Sequence, residues 1–593
     1  MALYRPMEVR FLKTLFITFT LVILPGEGLY AQSFNVDSAL SAMTLEEKIG
    51  QLFMVAAYSN KGEEHQAELE ALVRDYHIGG VIVMQGGPER QKKLLHRLQG
   101  AATFPLLVGQ DAEWGQAMRL DSTYKFPTSL TVGAAGGTTD AYDLGVSLAE
   151  ECRAVGVHMS FSPVLDVNTN PSNPIIGARS FGSNPRRVNA LGKAVIDGIQ
   201  DRGVLACGKH FPGHGDTHQD SHKTLPKVDR TLEELIEVEW VPFKGAIEAG
   251  VGAIMIAHLN IPSLEPSGKP TSLSRKVIQE ILRDSWGYEG LVITDALNMK
   301  GAAAFAPPGE LELAAFSAGN DVLLFPMDVP KATKAFQNAL ATDKIAVKSL
   351  DERVRRILVA KSNCQAYGDW MEAQKPADPK LLSSDQGPFE RADANQRVSF
   401  NLIRNAATLL ETGNTSFPIK NLEQNFLHIA IGDFESAGTV KQYLDRYKEM
   451  PHHHGVDVDD REMASKDAFV VSFHQNVKNP WKRYKLEPWE QEFLKRLSAT
   501  GKPVYLLHFA NPYGVLTYPN LGENVRILLL YENDEYAQLL APQFLFGARK
   551  TKGTLPADLN QWGEVGDGEQ TEELLRLKYG LPFEVGLDVG PLN

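Results

Sequence analysis

The stretch of sequence that decides the fold is Gly203-Val204-Leu205-Ala206-Cys207-Gly208-Lys209-His210-Phe211-Pro212. Its first half is a short apolar run, which is typical of a strand buried on both faces of a parallel sheet. Its second half is charged and ends in a proline. Polar groups just beyond a buried strand commonly serve a ligand or a reaction. The stretch therefore predicts an α/β protein with a functional site at the carboxyl ends of its strands.

The same apolar pattern recurs along the first part of the chain. Eight such runs lie at residues 53–55, 80–84, 106–109, 157–161, 204–207, 253–256, 291–294 and 321–325. Helical stretches separate them, and two of these helices open with capping boxes, Thr44 to Glu47 and Thr231 to Glu234. Eight buried strands alternating with helices favour a (β/α)8 barrel over an open sheet.

The runs divide the chain into predicted domains. We expect the barrel over residues 32–364, a linker rich in Pro, Asp and Ser over 365–395, and a smaller α/β sandwich domain over 396–556. Strand candidates in that second domain are 427–432, 468–473, 504–507 and 525–530. The triplet His452-His453-His454 is expected to be a solvated loop, and Asn511-Pro512-Tyr513 a turn.

Residues 557–593 form a C-terminal extension. The segment from Tyr579 to Asp588 resembles the beginning of a β-lactamase-like serine hydrolase, but no serine follows Ala557. Such an enzyme needs a serine nucleophile. The extension is therefore either the truncated start of such a module or a segment that packs on the second domain.

The N-terminal residues 1–31 have the pattern of a signal peptide. Arg10 and Lys13 precede the apolar run 14–24, and the small residue Ala31 follows. The alternative is an uncleaved membrane anchor, for which this run is short. The pattern predicts a periplasmic or secreted protein with no membrane span after removal of the signal.

Composition excludes several classes of protein. The 593 residues carry a net charge of −13 without a long basic block, which argues against nucleic acid as a partner. The three cysteines, Cys152, Cys207 and Cys364, do not form a disulfide framework or a zinc-ligand pair. The sequence implies neither a metal site nor an organic cofactor.

Polar residues follow most of the predicted strands at the point where each strand ends. In chain order they are Asp111, then Asp166 and Asn168, then Lys209 and His210, then His258, and finally Asp295. In a barrel these positions share the face on which active sites are built. An open sheet would gather its ligand groups at one switch point instead.

Two motifs suggest catalytic groups. In Asp220-Ser221-His222, residues two apart on an extended chain point the same way, so the carboxylate can orient the imidazole. The alternative is a capped loop with a surface histidine. Asp295 directly follows a buried strand, where a carboxylate is either a ligand group or a loop cap.

These motifs resemble those of glycoside hydrolase family 3, and most closely the β-N-acetylglucosaminidases that act on bacterial cell-wall sugars. The resemblance rests on Lys209 to Gly215 with Asp220-Ser221-His222, on Asp295 to Met299, on Phe161 to Asn168, and on Gly177 to Gly182. It covers residues 36–360, and reaches 556 more weakly.

The resemblance implies a role for each matching residue. Asp295 would be the nucleophile, and His222, paired with Asp220, the general acid/base. The groups holding the sugar hydroxyls would be Asp111, Arg179, Lys209 and His210. The family's acidic-Gly-Gly stretch reads Asp111-Ala112-Glu113-Trp114-Gly115 here, which is a departure around Asp111.

The implied activity is an exported, retaining exo-β-N-acetylglucosaminidase that removes terminal GlcNAc from peptidoglycan-derived or related sugars. Three alternatives remain open at this stage: a glycoside phosphorylase on the same fold, a β-glucosidase, and a non-catalytic sugar-binding protein. Turnover that depends on phosphate would identify the phosphorylase, and a preference for glucose the β-glucosidase. Binding without hydrolysis would identify the sugar-binding protein.

Overall fold

The structure is a computed structural model that describes residues 35–219, 224–375, 392–455, 457–475 and 485–586. The predicted signal peptide therefore lies outside the described residues. No helix of the described part has the length and apolar character needed to cross a membrane.

The first domain is a barrel of eight parallel strands. They are β1 Phe53–Ala57, β2 Gly80–Val83, β3 Leu107–Gln110, β4 Met159–Ser160, β5 Leu205–Phe211, β6 Ala253–Ile256, β7 Leu291–Thr294 and β8 Leu323–Leu324. Their order is β7-β6-β5-β4-β3-β2-β1-β8, and a parallel bridge from Ile293 to Val322 joins the two ends. This arrangement confirms the predicted barrel.

Helices surround the barrel because each strand is apolar on both faces and needs cover. They are α1 Val36–Ala42, α2 Leu45–Gly50, α3 Glu63–Tyr76, α4 Pro88–Ala101, α5 Ser129–Ala135, α6 Thr138–Ala154, α7 Pro185–Gln200, α8 Leu232–Glu234, α9 Trp240–Glu248, α10 Lys300–Ala303, α11 Glu310–Ala318, α12 Val329–Ala341, α13 Val347–Ser362 and α14 Ala366–Ala373. Both predicted capping boxes are present, at α2 and α8. Two π-helical segments, Leu235–Glu239 and Lys276–Ser285, complete the layer.

The second domain is a six-stranded sheet with helices on its faces. Its strands are β9 Thr408–Leu409, β10 Phe426–Gly432, β11 His452–His454, β12 Ala468–His474, β13 Val504–Phe509 and β14 Val525–Leu529, in the order β11-β10-β12-β13-β14-β9. Its helices are α15 Ala392–Ala406, α16 Gly438–Asp445, α17 Asp460–Ser465, α18 Pro488–Ala499 and α19 Glu535–Leu545. All strands are parallel except β9, which pairs antiparallel with β14.

The histidine triplet is a strand, so the expectation of a solvated loop was wrong. His452 to His454 pair with His428 to Ala430 of β10 and are half-buried. Register places His428, His452, His454 and His474 on one face of the sheet, since they lie an even number of residues apart across paired strands. We call these four residues the histidine face.

Part of the predicted linker is helical. Helix α14 occupies residues 366–373 and packs on the barrel, where Trp370 Nε1 donates to the carbonyl of Ala102 at 2.9 Å. Residues 376–391 lie outside the described part. In the C-terminal extension, Phe583 packs edge-on against Phe400 of α15, with ring centroids 5.7 Å apart. The described part of the extension thus contacts the second domain.

The two domains share polar contacts near the barrel mouth. Glu532 of the second domain accepts hydrogen bonds from the backbone N–H of Thr128 at 2.8 Å and from the hydroxyl of Thr131 at 2.8 Å. The carbonyl of Pro556 accepts from the N–H of Ser183 at 2.9 Å. These contacts place the carboxyl end of β14 beside the start of α5, and Pro556 beside the loop that follows β4.

Candidate active site

A cavity of about 300 Å³ lies at the mouth of the barrel. Its lining includes the five described residues to which the resemblance assigns roles: Asp111, Arg179, Lys209, His210 and Asp295. They come from the loops after β3, β4 and β7 and from β5 itself. The barrel brings them together because the carboxyl ends of its parallel strands share one face.

Lys209 lies at the centre of a buried ion network. Its Nζ is 2.8 Å from Asp111 Oδ1 and 2.7 Å from Glu113 Oε1. Burial lowers the pKa of Lys209, but the two carboxylates outweigh it and hold that pKa above its usual value. Burial raises the pKa of Asp111, yet Lys209 and Arg119 together hold it well below its usual range.

Glu113 and Arg119 complete this network, and sequence reasoning did not select either. Glu113 takes a bidentate contact from Arg179, with Nε at 2.8 Å and Nη2 at 2.7 Å. Burial raises the pKa of Glu113, but Arg179 and Lys209 bring it down to about 2. Arg119 contacts Asp111 from the opposite side. The two-residue spacing of Asp111 and Glu113 was the available signal, since alternate residues of an extended segment can share a side.

Asp166 orients His210, near the end of β5, and His214, which follows it. Its carboxylate accepts from His210 Nδ1 at 2.7 Å and from the backbone N–H of His214 at 2.7 Å. Burial raises the pKa of Asp166, but the neighbouring His210 keeps it below its usual value. Burial and His210 lower the pKa of His214 to about 4, so His214 is neutral near pH 7. His210 Nε2 lies 3.4 Å from Arg179 Nη2.

Asp295 sits at the carboxyl end of β7 and lines the same cavity. Its backbone N–H donates to the carbonyl of Ile256 at 2.9 Å, and its Oδ1 accepts from the N–H of Ala296 at 2.8 Å. His258, which follows β6, places Nε2 3.0 Å from the carbonyl of Ala296 and Nδ1 2.7 Å from Ser272 Oγ. Hydrogen bonds with Ile256 of β6 and with His258 thus fix the segment that carries Asp295.

Asp220 and His222 lie outside the described residues, so their predicted pairing stays a prediction. The chain leading to them is held by the loop after β4. Asn170 Nδ2 donates to the carbonyl of Thr217 at 3.0 Å, and Asn173 Nδ2 to the carbonyls of His214 and Gly215 at 2.9 Å each. The described part of this chain runs from His214, which lines the cavity, to Gln219.

The arrangement suits a neutral, hydroxyl-rich ligand. Paired carboxylates and cations hold their hydrogen-bonding atoms in fixed directions, and each ionised group can still bind a hydroxyl. A carboxylate at one wall of the cavity is able to attack a bound electrophilic carbon. Within the described residues no group of His, Cys, Asp and Glu is arranged to hold a metal ion.

Comparisons with known proteins agree with this geometry. Residues 44–360 match the model described as glycosyl hydrolase family 3 N terminal domain. The chain is 29% identical over 466 residues to "Beta-hexosaminidase A" of Pseudoalteromonas piscicida, covering 71% of this chain and 76% of that protein. It is 28% identical over 430 residues to "Beta-N-acetylglucosaminidase/beta-glucosidase" of Cellulomonas fimi, covering 70% and 75%.

Among solved structures, the chain resembles a glycoside hydrolase family 3 β-N-acetylglucosaminidase from Paenibacillus sp. str. FPU-7. The TM-score is 0.71 at 29% identity, covering 87% of this chain and 99% of that one. The family model matches more than half of the chain and ends close to the end of the barrel. With a charged cavity at the mouth of that barrel, the chain belongs to glycoside hydrolase family 3 and is a glycoside hydrolase.

Proposed function

We propose that this protein is a retaining exo-β-N-acetylhexosaminidase that removes a terminal β-linked GlcNAc residue. One observation carries the proposal: Asp295 shares a single cavity with Asp111, Arg179, Lys209 and His210. The volume of about 300 Å³ is at the lower limit for small-ligand pockets, which suits one sugar residue better than a longer chain. The names of the relatives from Pseudoalteromonas and Paenibacillus support the N-acetylated sugar.

In the first step of the proposed reaction, an Asp295 carboxylate oxygen bonds to the anomeric carbon. The bond from that carbon to the leaving oxygen breaks with its electron pair, and that oxygen takes a proton from the general acid. In the second step, water gives a proton to the same group, now acting as base, and its oxygen displaces Asp295. Two displacements at one carbon give net retention.

We assign the acid/base role to His222, oriented by Asp220. Most glycosidases use a second carboxylic acid for this purpose. A histidine has an unperturbed pKa of about 6.5, which is close to working pH without further tuning. Its deprotonated form is neutral, so it adds no second negative charge beside the nucleophile.

The ion network around Lys209 would bind the hydroxyl groups of the sugar. Asp111 accepts while Lys209 and Arg179 donate. Lys209 and Arg179 are buried, and Asp111 is partly exposed. We further propose an extracytoplasmic location and peptidoglycan-derived substrates. The N-terminal pattern of a basic start, an apolar run and a small residue supports the location.

The test is turnover of chromogenic β-glycosides of GlcNAc, GalNAc and glucose by the full chain, with and without inorganic phosphate. We expect fastest release from GlcNAc, retained configuration in the first product, and no dependence on phosphate. Asp295→Ala should lower kcat by at least about 10⁴-fold, since it removes the nucleophile. A sugar 1-phosphate product would instead identify a phosphorylase, and full activity of Asp295→Ala would refute the nucleophile.

A further inference from the structure

We propose that Tyr513 of the second domain is a positioning residue for the acid/base loop of the barrel. The Nδ2 amide of Asn168, in the loop after β4, donates a hydrogen bond of 2.6 Å to the hydroxyl of Tyr513. Both side chains are buried, at 1% and 3% exposure. The inference rests on the proposed function, because it assigns the second domain a role in the same reaction.

Contacts within the second domain fix the position of Tyr513. It lies in the 3₁₀ helix Pro512–Thr517 after β13, and Asn511 Oδ1 accepts from its backbone N–H at 3.0 Å. His508 of β13 places Nε2 2.9 Å from the carbonyl of Asn511. The ring of Tyr513 also packs in the apolar cluster of the second sheet. The hydroxyl therefore reaches the barrel from a rigid base rather than from a free loop.

On the barrel side, Asn168 begins the segment that supports the chain before His222. The next residue but one, Asn170, donates to the carbonyl of Thr217, and Asn173 donates to the carbonyls of His214 and Gly215. Gly215 approaches so closely that a Cβ there would lie 1.8 Å from the carbonyl oxygen of Val167. Residues 167–173 and 213–218 thus behave as one packed unit.

A second anchor for this unit lies within the barrel. Arg230 places Nε 3.0 Å from Asp216 Oδ2 and Nη2 3.1 Å from Thr169 Oγ1. Because Arg230 remains when the Tyr513 hydroxyl is removed, we expect the unit to become less ordered rather than to unfold. Small displacements of a catalytic group lower rates strongly, since proton transfer needs hydrogen-bond distance in the transition state.

The test compares Tyr513→Phe with Tyr505→Phe. Both changes remove one buried hydroxyl from the second domain, but the Tyr505 hydroxyl donates to the carbonyl of Ser416 at 3.2 Å, within its own domain. The readout is kcat/KM on two GlcNAc β-glycosides, one with a 2,4-dinitrophenyl leaving group and one with an alkyl leaving group. The alkoxide of the alkyl glycoside is a poor leaving group and needs a proton from the general acid, whereas dinitrophenolate departs without one.

We expect Tyr513→Phe to lose about tenfold in kcat/KM on the alkyl glycoside, and less than about twofold on the dinitrophenyl glycoside. Tyr505→Phe should change neither by more than about twofold. Equal losses of Tyr513→Phe on both substrates, or losses no larger than those of Tyr505→Phe, would overturn the inference. A wild-type chain inactive on the dinitrophenyl glycoside would overturn the proposed function first.

A double-mutant cycle keeps the test decisive if Tyr513→Phe proves unstable. Asn168→Ala removes the same hydrogen bond from the barrel side, so adding Tyr513→Phe to it should cost little more on the alkyl glycoside. Fully multiplicative losses from the two changes would mean that the residues act separately, and the inference would fail.

Discussion

The mouth of the barrel and the histidine face of the second sheet are both buried and polar, but they are stabilised in opposite ways. At the mouth, Lys209 lies within 2.8 Å of two carboxylates, and the charges hold one another in the ionised state. On the histidine face, burial lowers the pKa of His474 to about 4 and that of His428 well below its usual value, so both are neutral. Buried ionisable groups are thus either paired as ions or neutral.

The difference also separates function from support. Ions fixed in a cavity keep donors and acceptors in set directions for a ligand. The neutral imidazole of His428 instead bonds to its neighbours: it contacts His452 at 2.9 Å through the two Nδ1 atoms and Ser472 Oγ at 2.8 Å through Nε2. The pH response of each region should follow from this contrast.

The largest expected effect on the free energy of unfolding comes from a substitution at the mouth of the barrel. Lys209→Met leaves Asp111 and Glu113 buried with one cation fewer, so we expect a loss of about 3–5 kcal/mol in the free energy of unfolding at pH 7.5. The pKa values of both carboxyls are low in the wild type and would rise in the variant. The loss should therefore shrink as pH falls from 7.5 to 4.5. Urea unfolding at both pH values measures it.

Lys331→Met is the control for that change, because the Lys331–Asp328 pair is solvent-exposed and exposed pairs contribute little. A destabilisation by Lys209→Met no larger than that of Lys331→Met would show that the ion network does not hold the mouth together.

The next effect concerns the histidine face. The folded-state pKa of His474 is about 4, below the unfolded value of about 6.5. As pH falls, this histidine takes up a proton in the unfolded chain before it does so in the folded protein. The contribution of His474 to the free energy of unfolding is therefore fully present above pH 6.5 and decreases by about 2–3 kcal/mol toward pH 4. His474→Gln should flatten this dependence of the thermal midpoint. His453→Gln, on the partly exposed residue beside the face, should leave it unchanged; a similar flattening there would contradict the assignment.

The smallest expected effect concerns Glu239, a buried carboxyl whose oxygens have a distant cation but no hydrogen-bond partner among the described residues. Burial raises the pKa of Glu239 to about 7, against a partial offset from Arg230, whose Nε is 3.7 Å away. A raised carboxyl pKa removes stability as pH rises from the unfolded value of about 4.5 through 7. Glu239→Gln should therefore gain about 1–2 kcal/mol at pH 8 and almost nothing at pH 5.

Glu234→Gln, on a largely exposed neighbour that also faces Arg230, is the matched control and should be neutral at both pH values. Destabilisation of Glu239→Gln at pH 8 would mean that the attraction between the carboxylate and Arg230 outweighs the cost of burying the charge.

Local pattern was enough to predict the strands that are long and apolar. All eight barrel strands overlap the apolar runs, and both capping boxes form, because burial and capping depend on residues within one short window. The two short strands β9 and β11 were missed. Thr408–Leu409 is too short for any period, and His452–His454 becomes a strand only through its partner β10.

The candidate site was predictable in part for the same reason. Asp111, Lys209, His210 and Asp295 each follow an apolar run, so the strand ends identify them. Glu113 and Arg119 lie in the loop after β3. Glu113 pairs with Lys209 of β5 and with Arg179 of the loop after β4, whereas Arg119 pairs with Asp111 at the start of its own loop. Sequence distance does not reveal such pairs.

By itself, the sequence determined the barrel, its helical cover and the face that carries the charged groups, since hydrophobic periodicity and strand ends are local properties. Only the tertiary structure decided which ions pair, that the histidine triplet joins a sheet, and that Tyr513 meets Asn168 across 345 residues of chain. Those contacts depend on how distant segments pack, and no short window of sequence contains both partners.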